Sequence, residues 1–357
     1  MEPVNDAGGS NWGPGTRAVH AGLPPAVRGA PMLPGPSLAA PVHLSGEGVP
    51  EGYGRYANVS WSLLEAAIGE LEGGEALVFA SGMAAVTAVA MTSPGPMVVP
   101  GDGYPGIRGI VSDRLGGGRL VASSTEAIVE AGEGAGLLWV ETPSNPLLDV
   151  VDIAAVRAAF PEVLIVVDNS LATPLGQRPL DLGATVSVAA ATKSLSGHSD
   201  VLLGYVASRD ASVMERVRAW RDQTGGIASP FDAWLVHRSI ATAELRVARQ
   251  SVNSLAVAEA LRGRGVRVWH PSDHEVAAVQ MRHFGPLVGF DLGTEEAASG
   301  FLGRCRLVAE ATSFGGVHSS AERRARWGTD AVGPGFIRFS AGCEDTEDLV
   351  ADVLAAL

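Results

Sequence analysis

Short apolar runs recur in the first two thirds of the chain and predict the strands of a buried sheet. Seven of them lie between residues 76 and 208: ALVF, MVVP, RLVAS, GLLWVET, VLIVVDN, TVSVAAAT and LGYVAS. Several are continuously apolar rather than alternating, which is typical of strands that are buried on both faces. Helix-like or glycine-rich segments separate them, so the pattern predicts an α/β fold with a mostly parallel central sheet.

The pattern changes near residue 236, where a long helical region begins. This region, RSIATAELRVARQSVNSLAVAEALRGRG, is followed by two strand-like runs, LVGFDLG and GFIRFSAG, and by a last helix in EDTEDLVADVLAAL. We therefore predict a large α/β domain over residues 55–235 and a smaller C-terminal α+β domain over residues 236–357.

The segment before the sheet is rich in glycine and proline. Because each proline removes a backbone donor and restricts its predecessor, we predict an extended arm over residues 1–54. The first clear helix is predicted in WSLLEAAIGELEGG, with Ser60 or Ser62 capping its start and Gly73 and Gly74 ending it.

Composition narrows the class of protein. A length of 357 residues suggests about two domains, and the formal charge of −13 disfavours nucleic acid and anionic membranes as partners. The two cysteines, Cys305 and Cys343, have no metal-ligand spacing, which fits packing residues in a reducing compartment. No signal-peptide pattern and no membrane-length apolar run is present, so we expect a cytoplasmic protein.

Polar residues follow several of the predicted strands, where α/β sheets bind ligands. The turn Ser81–Met83 opens a helix and can cradle a phosphate, although it can also be a tight turn that needs glycine. Asp168 follows a buried run and either caps the next element or meets a cation. Lys193 follows another buried apolar run. There it can extend to solvent or, if partly desolvated, act as a nucleophile.

Together, these groups indicate a cofactor. A phosphate cradle, a carboxylate and a lysine at one edge of a sheet match the needs of pyridoxal 5′-phosphate (PLP). The lysine would form a Schiff base, and the carboxylate would keep the pyridine nitrogen protonated so that the ring withdraws electrons.

The chain resembles the trans-sulfuration family of PLP-dependent enzymes, the group of cystathionine γ-lyase, cystathionine γ-synthase and methionine γ-lyase. The resemblance runs nearly end to end and implies PLP-dependent fold type I, the aspartate aminotransferase-like fold. It rests on these motifs: TRAVHAG, YGRYAN, LEGGEALVFASGMAA, GDGYPG, VETPSNPLLDVVDI, VVDNSLATPLGQRPLDLGA, ATKSLSGHSDVLLG, SPFDAWLVHRSIAT, TSFGG and IRFSAGCEDTEDL.

The resemblance also implies roles for single residues. Lys193 matches the Schiff-base lysine, Asp168 the partner of the pyridine nitrogen, and Tyr104 the tyrosine that stacks on the ring. Arg338 matches the arginine that binds the substrate α-carboxylate. The other implied cofactor and substrate contacts are Ser81, Gly82, Met83, Thr192, Asn145, Ser313 and Thr312, together with Tyr53 and Arg55, which match a pair that reaches the phosphate of a neighbouring subunit.

Two residues depart from the family pattern. Ala190 stands where the family usually has a serine that binds phosphate, which should weaken cofactor binding without abolishing it. Thr312 stands where relatives that use cystathionine often carry a glutamate facing the distal ammonium of the substrate. The loop between Ser320 and Arg338 is also shorter than usual. Thr312 and the shorter loop leave the cofactor chemistry intact and put the identity of the substrate in question.

The resulting prediction is a PLP-dependent cystathionine γ-lyase that acts on a small-molecule substrate, the amino acid L-cystathionine, and assembles as a homotetramer of two catalytic dimers. The alternatives are γ-replacement, as in cystathionine γ-synthase or an O-acyl-homoserine sulfhydrylase, and a cofactor-binding relative with another substrate. No metal is expected, and His198 is expected to be structural.

Overall fold

The computed structural model describes residues 12–44, 53–114 and 117–357. Its larger sheet has seven strands in the order β1-β7-β6-β5-β4-β2-β3. Each predicted apolar run supplies one strand: β1 (Glu75–Phe79), β2 (Met97–Pro100), β3 (Arg119–Val121), β4 (Leu137–Glu141), β5 (Leu164–Asp168), β6 (Val186–Ala190) and β7 (Gly204–Ser208).

Most strand pairs in this sheet are parallel. Strands β3, β2, β4, β5 and β6 run in the same direction, whereas β7 is antiparallel to both β6 and β1. Apolar side chains on the two faces of the sheet pack into separate clusters under the surrounding helices. The expectation of a mostly parallel central sheet is confirmed.

The helices of the described residues surround both sheets. Their bounds are α1 (Pro14–His20), α2 (Val59–Glu72), α3 (Gly82–Thr92), α4 (Pro105–Arg114), α5 (Thr125–Ala131), α6 (Ile153–Ala159), α7 (Thr173–Gly176), α8 (Ala211–Thr224), α9 (Pro230–Ile240), α10 (Ala243–Arg262), α11 (Glu275–Gln280), α12 (Glu295–Arg304) and α13 (Thr346–Ala356).

The N-terminal segment differs from the predicted extended arm in one place. Helix α1 forms here because Pro14 stands at its first position and Ala18 is buried against the rest of the chain.

The N-cap of α2 was also predicted wrongly. Asn58 is the N-cap and its side chain accepts the N–H of Ser60 at 2.9 Å, whereas Gly73 ends the helix in the left-handed conformation as expected.

A second sheet lies in the C-terminal part of the chain. Its order is β10-β11-β12-β9-β8, with the strands β8 (Arg267–Trp269), β9 (Leu287–Asp291), β10 (Ala309–Glu310), β11 (Ser320–Arg323) and β12 (Phe336–Ser340). The strands β9 and β12 and the helix α13 were predicted, whereas the short strands β8, β10 and β11 were not. The long helical region is interrupted between α9 and α10. The domain limits at residues 54 and 235 stay a prediction.

The fold brings the carboxyl ends of β4, β5 and β6 together. In the parallel ladder Glu141 lies opposite Asp168, and Asp168 lies opposite Val188. Helix α3 follows β1 and begins at the same edge. In the part of the chain that the structure describes, no helix is long and apolar enough to cross a membrane.

Candidate active site

A cavity of about 480 Å³ opens at the carboxyl ends of the parallel strands. Eleven of the predicted site residues line it: Ser81, Gly82, Met83, Tyr104, Asn145, Asp168, Thr192, Lys193, Thr312, Ser313 and Arg338. They come from seven separate segments of the chain, which only the folded structure brings to one place. Tyr53 and Arg55 do not line it.

Lys193 lies three residues beyond the end of β6 and points into the cavity. Its Nζ donates a hydrogen bond to Ser313 Oγ at 2.6 Å and lies 4.8 Å from the centre of the Phe314 ring. Burial, and next the positive charge of Arg338, lower the pKa of Lys193 to about 8. About a tenth of the amine is therefore neutral, and hence nucleophilic, at pH 7, far more than for a lysine with an ordinary pKa.

Asp168 ends β5 and supplies a carboxylate close to this lysine. Burial raises the pKa of Asp168, while hydrogen bonds from Ser170 and the charge of Lys193 act in the opposite direction. Ser170 N donates to Asp168 Oδ1 at 3.0 Å, and the Ser170 hydroxyl accepts the N–H of Ala190 at 2.8 Å. A cation placed beside Asp168 would lower its pKa and keep it ionised.

The turn between β1 and α3 exposes backbone donors to the cavity. Ser81 is the N-cap, and its Oγ accepts the N–H of Ala84 at 3.1 Å. A side chain at Gly82 would place its Cβ 2.8 Å from the Cβ of Ala190, so glycine is required for α3 to approach β6 this closely. The first amides of this 11-residue helix therefore face the cavity with the positive end of the helix dipole.

The hydroxyl of Thr192, which the sequence suggested as a phosphate ligand, is already hydrogen-bonded to the backbone of Leu203. Thr192 Oγ1 donates to the carbonyl oxygen of Leu203 at 3.2 Å and accepts the N–H of Leu203 at 2.9 Å. Donation to a phosphate would require the hydroxyl to release the carbonyl of Leu203.

Arg338 projects from β12 into the far side of the cavity and is only 4% exposed. Its Nη1 donates to Asn145 Oδ1 at 2.8 Å, and its Nη2 donates to the carbonyl oxygen of Ser313 at 3.0 Å and to Glu322 Oε1. Burial, and next the charge of Arg324, lower the pKa of Arg338 to about 10, so that the guanidinium remains charged at neutral pH.

The backbone at Ser313 is in the left-handed region, with φ of 75°. This conformation is uncommon for a residue other than glycine and marks a constrained position. It lets Ser313 bond to Lys193 through its hydroxyl and to Arg338 through its carbonyl oxygen. One residue thus links the two cations of the site.

Glu141 is the last residue of β4, and the sequence analysis predicted no role for it. Its Oε2 accepts the N–H of Tyr104 at 2.6 Å, and its Oε1 accepts the N–H of Asn145 at 3.0 Å. Burial, and next the charge of Asp168, raise the pKa of Glu141 to about 8. Tyr104, which is 40% exposed, is therefore fixed through its backbone, and burial raises the pKa of its phenol.

Two further charged groups were missed. Arg324 lines the cavity, and Glu322 contacts both Arg324 and Arg338. The only signal in the sequence was the charge-rich segment AERRAR, which does not reveal which of its side chains turn inward. Thr312, in contrast, is exposed at the rim, where it supplies no negative charge.

Tyr53 and Arg55 lie away from the cavity of their own chain. Tyr53 is 48% exposed, and Arg55 donates to the carbonyl oxygen of Asp222 at 2.6 Å while its guanidinium lies 4.4 Å from the centre of the Tyr56 ring. Tyr53 is thus exposed and Arg55 is partly buried, and contact of this pair with a second subunit stays a prediction.

His198 bonds within its own neighbourhood. Its Nδ1 lies 2.6 Å from the carbonyl oxygen of Ser196 and 3.3 Å from Ser239 Oγ. Among the residues that the structure describes, no group of three or more His, Cys, Asp or Glu side chains is placed to hold a metal ion.

The arrangement fits PLP. Helix-terminal amides at Gly82 and Met83 suit a phosphate, Asp168 suits a pyridinium, and the pKa-lowered Lys193 suits a carbonyl carbon. On the opposite side, three of the five N–H groups of Arg338 are occupied, and those on Nε and Nη1 that remain suit a carboxylate.

The comparison with protein families agrees with this assignment. Residues 40–357 match the family model described as Cys/Met metabolism PLP-dependent enzyme. The chain belongs to this family of PLP-dependent trans-sulfuration enzymes, and PLP is its cofactor. The substrates of such enzymes are small molecules of the amino-acid class.

The relatives differ from one another in the activity for which they are named. A Streptomyces coelicolor protein named "Putative cystathionine gamma-lyase" is 52% identical, covering 97% of this chain and 93% of its own. A cystathionine gamma-synthase of Haemophilus influenzae is 32% identical, covering 90% and 92%. The crystal structure of a cystathionine gamma-lyase from Micromonospora echinospora has a TM-score of 0.89 at 36% identity, covering 97% of this chain and 99% of that one. The predicted fold class is confirmed.

Proposed function

We propose that this chain is a cystathionine γ-lyase, which converts L-cystathionine and water to L-cysteine, 2-oxobutanoate and ammonia. The observation that carries the proposal is the placement of Lys193 between a carboxylate, Asp168, and a buried guanidinium, Arg338. The relatives named as γ-lyases support elimination as the reaction.

The residues divide into a set that would hold the cofactor and a set that would hold the substrate. The amides of Gly82 and Met83 would bind the phosphate, Asp168 would bind the pyridinium and Tyr104 would lie against the ring. Bound in this way, PLP supplies an electron sink that stabilises negative charge at the substrate carbons.

Lys193 would move the protons of the reaction. With a pKa near 8, its amine can accept the Cα proton of the substrate and later one from Cβ. Ser313, at 2.6 Å, holds Nζ in position between these transfers. Loss of the γ-substituent then releases cysteine.

Arg338 would bind the α-carboxylate of the substrate. Its guanidinium would offer the carboxylate the two N–H groups, on Nε and Nη1, that Asn145, Ser313 and Glu322 leave unused. Asn145 fixes one end of this guanidinium through Oδ1. The carboxylate would thus set the orientation in which the Cα–H bond faces Lys193.

Tyr53 and Arg55 would complete the site of a neighbouring subunit. This would place each active site across a catalytic dimer, and two such dimers would form the tetramer.

Both cysteines are free thiols, which favours the cytoplasm as the compartment.

The direct test is product analysis of purified protein with PLP and L-cystathionine. Formation of 2-oxobutanoate and cysteine in equal amounts is expected, and Lys193→Ala should abolish it. Retained turnover in Lys193→Ala would overturn the assigned role of this lysine. Cofactor binding without any product would reject the γ-lyase assignment.

Thr312 favours a second candidate, a γ-replacement on a homoserine ester. An exposed threonine at the rim offers no charge for a distal ammonium, and Arg324, which also lines the cavity, is a cation. Incubation with an O-acyl-homoserine and a thiol would then yield the thioether. This outcome, with L-cystathionine left intact, would select the replacement reaction.

A further inference from the structure

Four alternating charges extend from the cavity into the small C-terminal sheet. Glu322 on β11 lies directly opposite Arg338 on β12 in the antiparallel ladder, so both side chains lie on one face. Arg324 and Asp330 continue the row. Their contacts run in the order Arg338–Glu322–Arg324–Asp330, which we call the charge row.

Glu322 is the one carboxylate that pairs with Arg338 among the described residues. The other two acceptors of Arg338, Asn145 Oδ1 and the Ser313 carbonyl oxygen, are neutral. A charged acceptor forms the stronger bond and fixes the guanidinium more firmly. Because Glu322 is 1% exposed and Arg338 4%, water does not screen this pair.

Glu322 also accepts hydrogen bonds from Arg324 and Trp327. Its Oε1 accepts from Arg324 Nη1 at 2.8 Å, and its Oε2 accepts from Trp327 Nε1 at 2.8 Å. Arg324 is held by Asp330, whose Oδ2 accepts from Nε at 2.7 Å and lies 2.6 Å from Nη2. All three nitrogens of the Arg324 guanidinium therefore face carboxylates, although the side chain borders the cavity.

We infer that Glu322 is the positioning residue for Arg338, and that Arg324 and Asp330 keep Glu322 in place for that purpose. The row balances two positive and two negative charges, so the carboxylate of a substrate is recognised by the orientation of Arg338 rather than by surplus positive charge. Arg324 acts through Glu322 and does not bind the substrate directly. This inference rests on the proposed role of Arg338 in binding the α-carboxylate.

The test compares two ligands of the holoenzyme that differ only in the carboxylate. L-norleucine carries it, and n-pentylamine is the same chain without it. The ratio of their dissociation constants, measured by calorimetry, reports the contribution of the carboxylate. Glu322→Gln keeps the shape of the side chain and removes its charge, and we expect it to reduce this ratio about tenfold to a hundredfold. KM for the substrate should rise in parallel while kcat is largely kept.

Matched controls separate positioning from a general loss of structure. Glu295→Gln removes a carboxylate that pairs with Arg323 at 2.6 Å on the surface of the same region, and the ratio should not change. Asp330→Asn acts one contact further along the row and should reduce the ratio by a smaller factor, about threefold to tenfold. If Glu322→Gln does not fold, Asp330→Asn decides the question.

The outcomes are distinct. A wild-type enzyme that binds both ligands equally would refute the role of Arg338 and with it the basis of this inference. A wild-type enzyme that prefers L-norleucine, together with an unchanged ratio in folded Glu322→Gln or, failing that, Asp330→Asn, would overturn the inference alone. An equal loss of affinity for both ligands would likewise assign Glu322 to structure and reject it as a positioning residue.

Discussion

Glu141 holds two neighbouring loops of the site with a single carboxyl group. It accepts the N–H of Tyr104 at 2.6 Å and that of Asn145 at 3.0 Å. In Glu141→Gln the amide oxygen can accept only one of these, and the amide NH₂ faces the other N–H. A buried N–H without an acceptor costs about 1–3 kcal/mol.

We expect this cost to appear in the affinity for PLP, because the proposed contact with the cofactor ring requires Tyr104 in its observed place. Since about 1.4 kcal/mol corresponds to a factor of ten, Glu141→Gln should bind PLP about fivefold to 150-fold more weakly. Glu141→Ala loses both acceptors and should bind it more weakly than Glu141→Gln.

The measurement is a titration of apo-protein with PLP, followed by quenching of tryptophan fluorescence, with thermal unfolding as a check of folding. Glu75→Gln is the matched control. Glu75 pairs with Arg218 at 2.5 Å on the surface, where such a pair contributes about 0–1 kcal/mol. If folded Glu141→Gln binds PLP as tightly as this control, Glu141 does not hold the Tyr104 loop and the reasoning is wrong.

Three further experiments test other parts of the structure. Gly82→Ala should push α3 away from Ala190, because its Cβ would lie 2.8 Å from that of Ala190; PLP titration should show at least about a tenfold loss in a folded protein. Lys193→Ala and Arg55→Ala should each be inactive alone, but mixed and reassembled subunits should recover about a quarter of wild-type activity if sites span a two-fold dimer; no recovery would place both residues in one chain's site. Burial raises the pKa of Glu72 to about 7, above its ordinary 4.5, so its contribution to stability is complete below pH 4.5 and is lost as the pH rises through 7. Between those values the free energy of unfolding of the wild type should fall by about 3 kcal/mol relative to Glu72→Gln; parallel thermal-unfolding profiles would contradict the assignment.

Local patterns accounted for the large sheet and for part of the site. Each apolar run between residues 76 and 208 became a strand. Most of these strands are apolar throughout because they are buried on both faces, whereas β3 lies at the edge of the sheet and is largely exposed. Asp168, Lys193 and the turn at Ser81 were found because polar groups at the ends of such runs are conspicuous. Strands β10 and β11 were missed, since two to four residues carry too little periodicity to detect.

The amino-acid sequence alone determined the class of fold, the identity of the cofactor and the choice of Lys193 as the candidate Schiff-base residue. These depend on residue types at the ends of apolar strands and on motifs that run almost the length of the chain. The tertiary structure alone decided which charges support them. Glu141 meets Tyr104 across 37 positions, and Glu322 meets Arg338 through the register of two short strands. Such contacts depend on how distant segments pack, and no local spacing in the sequence encodes that packing.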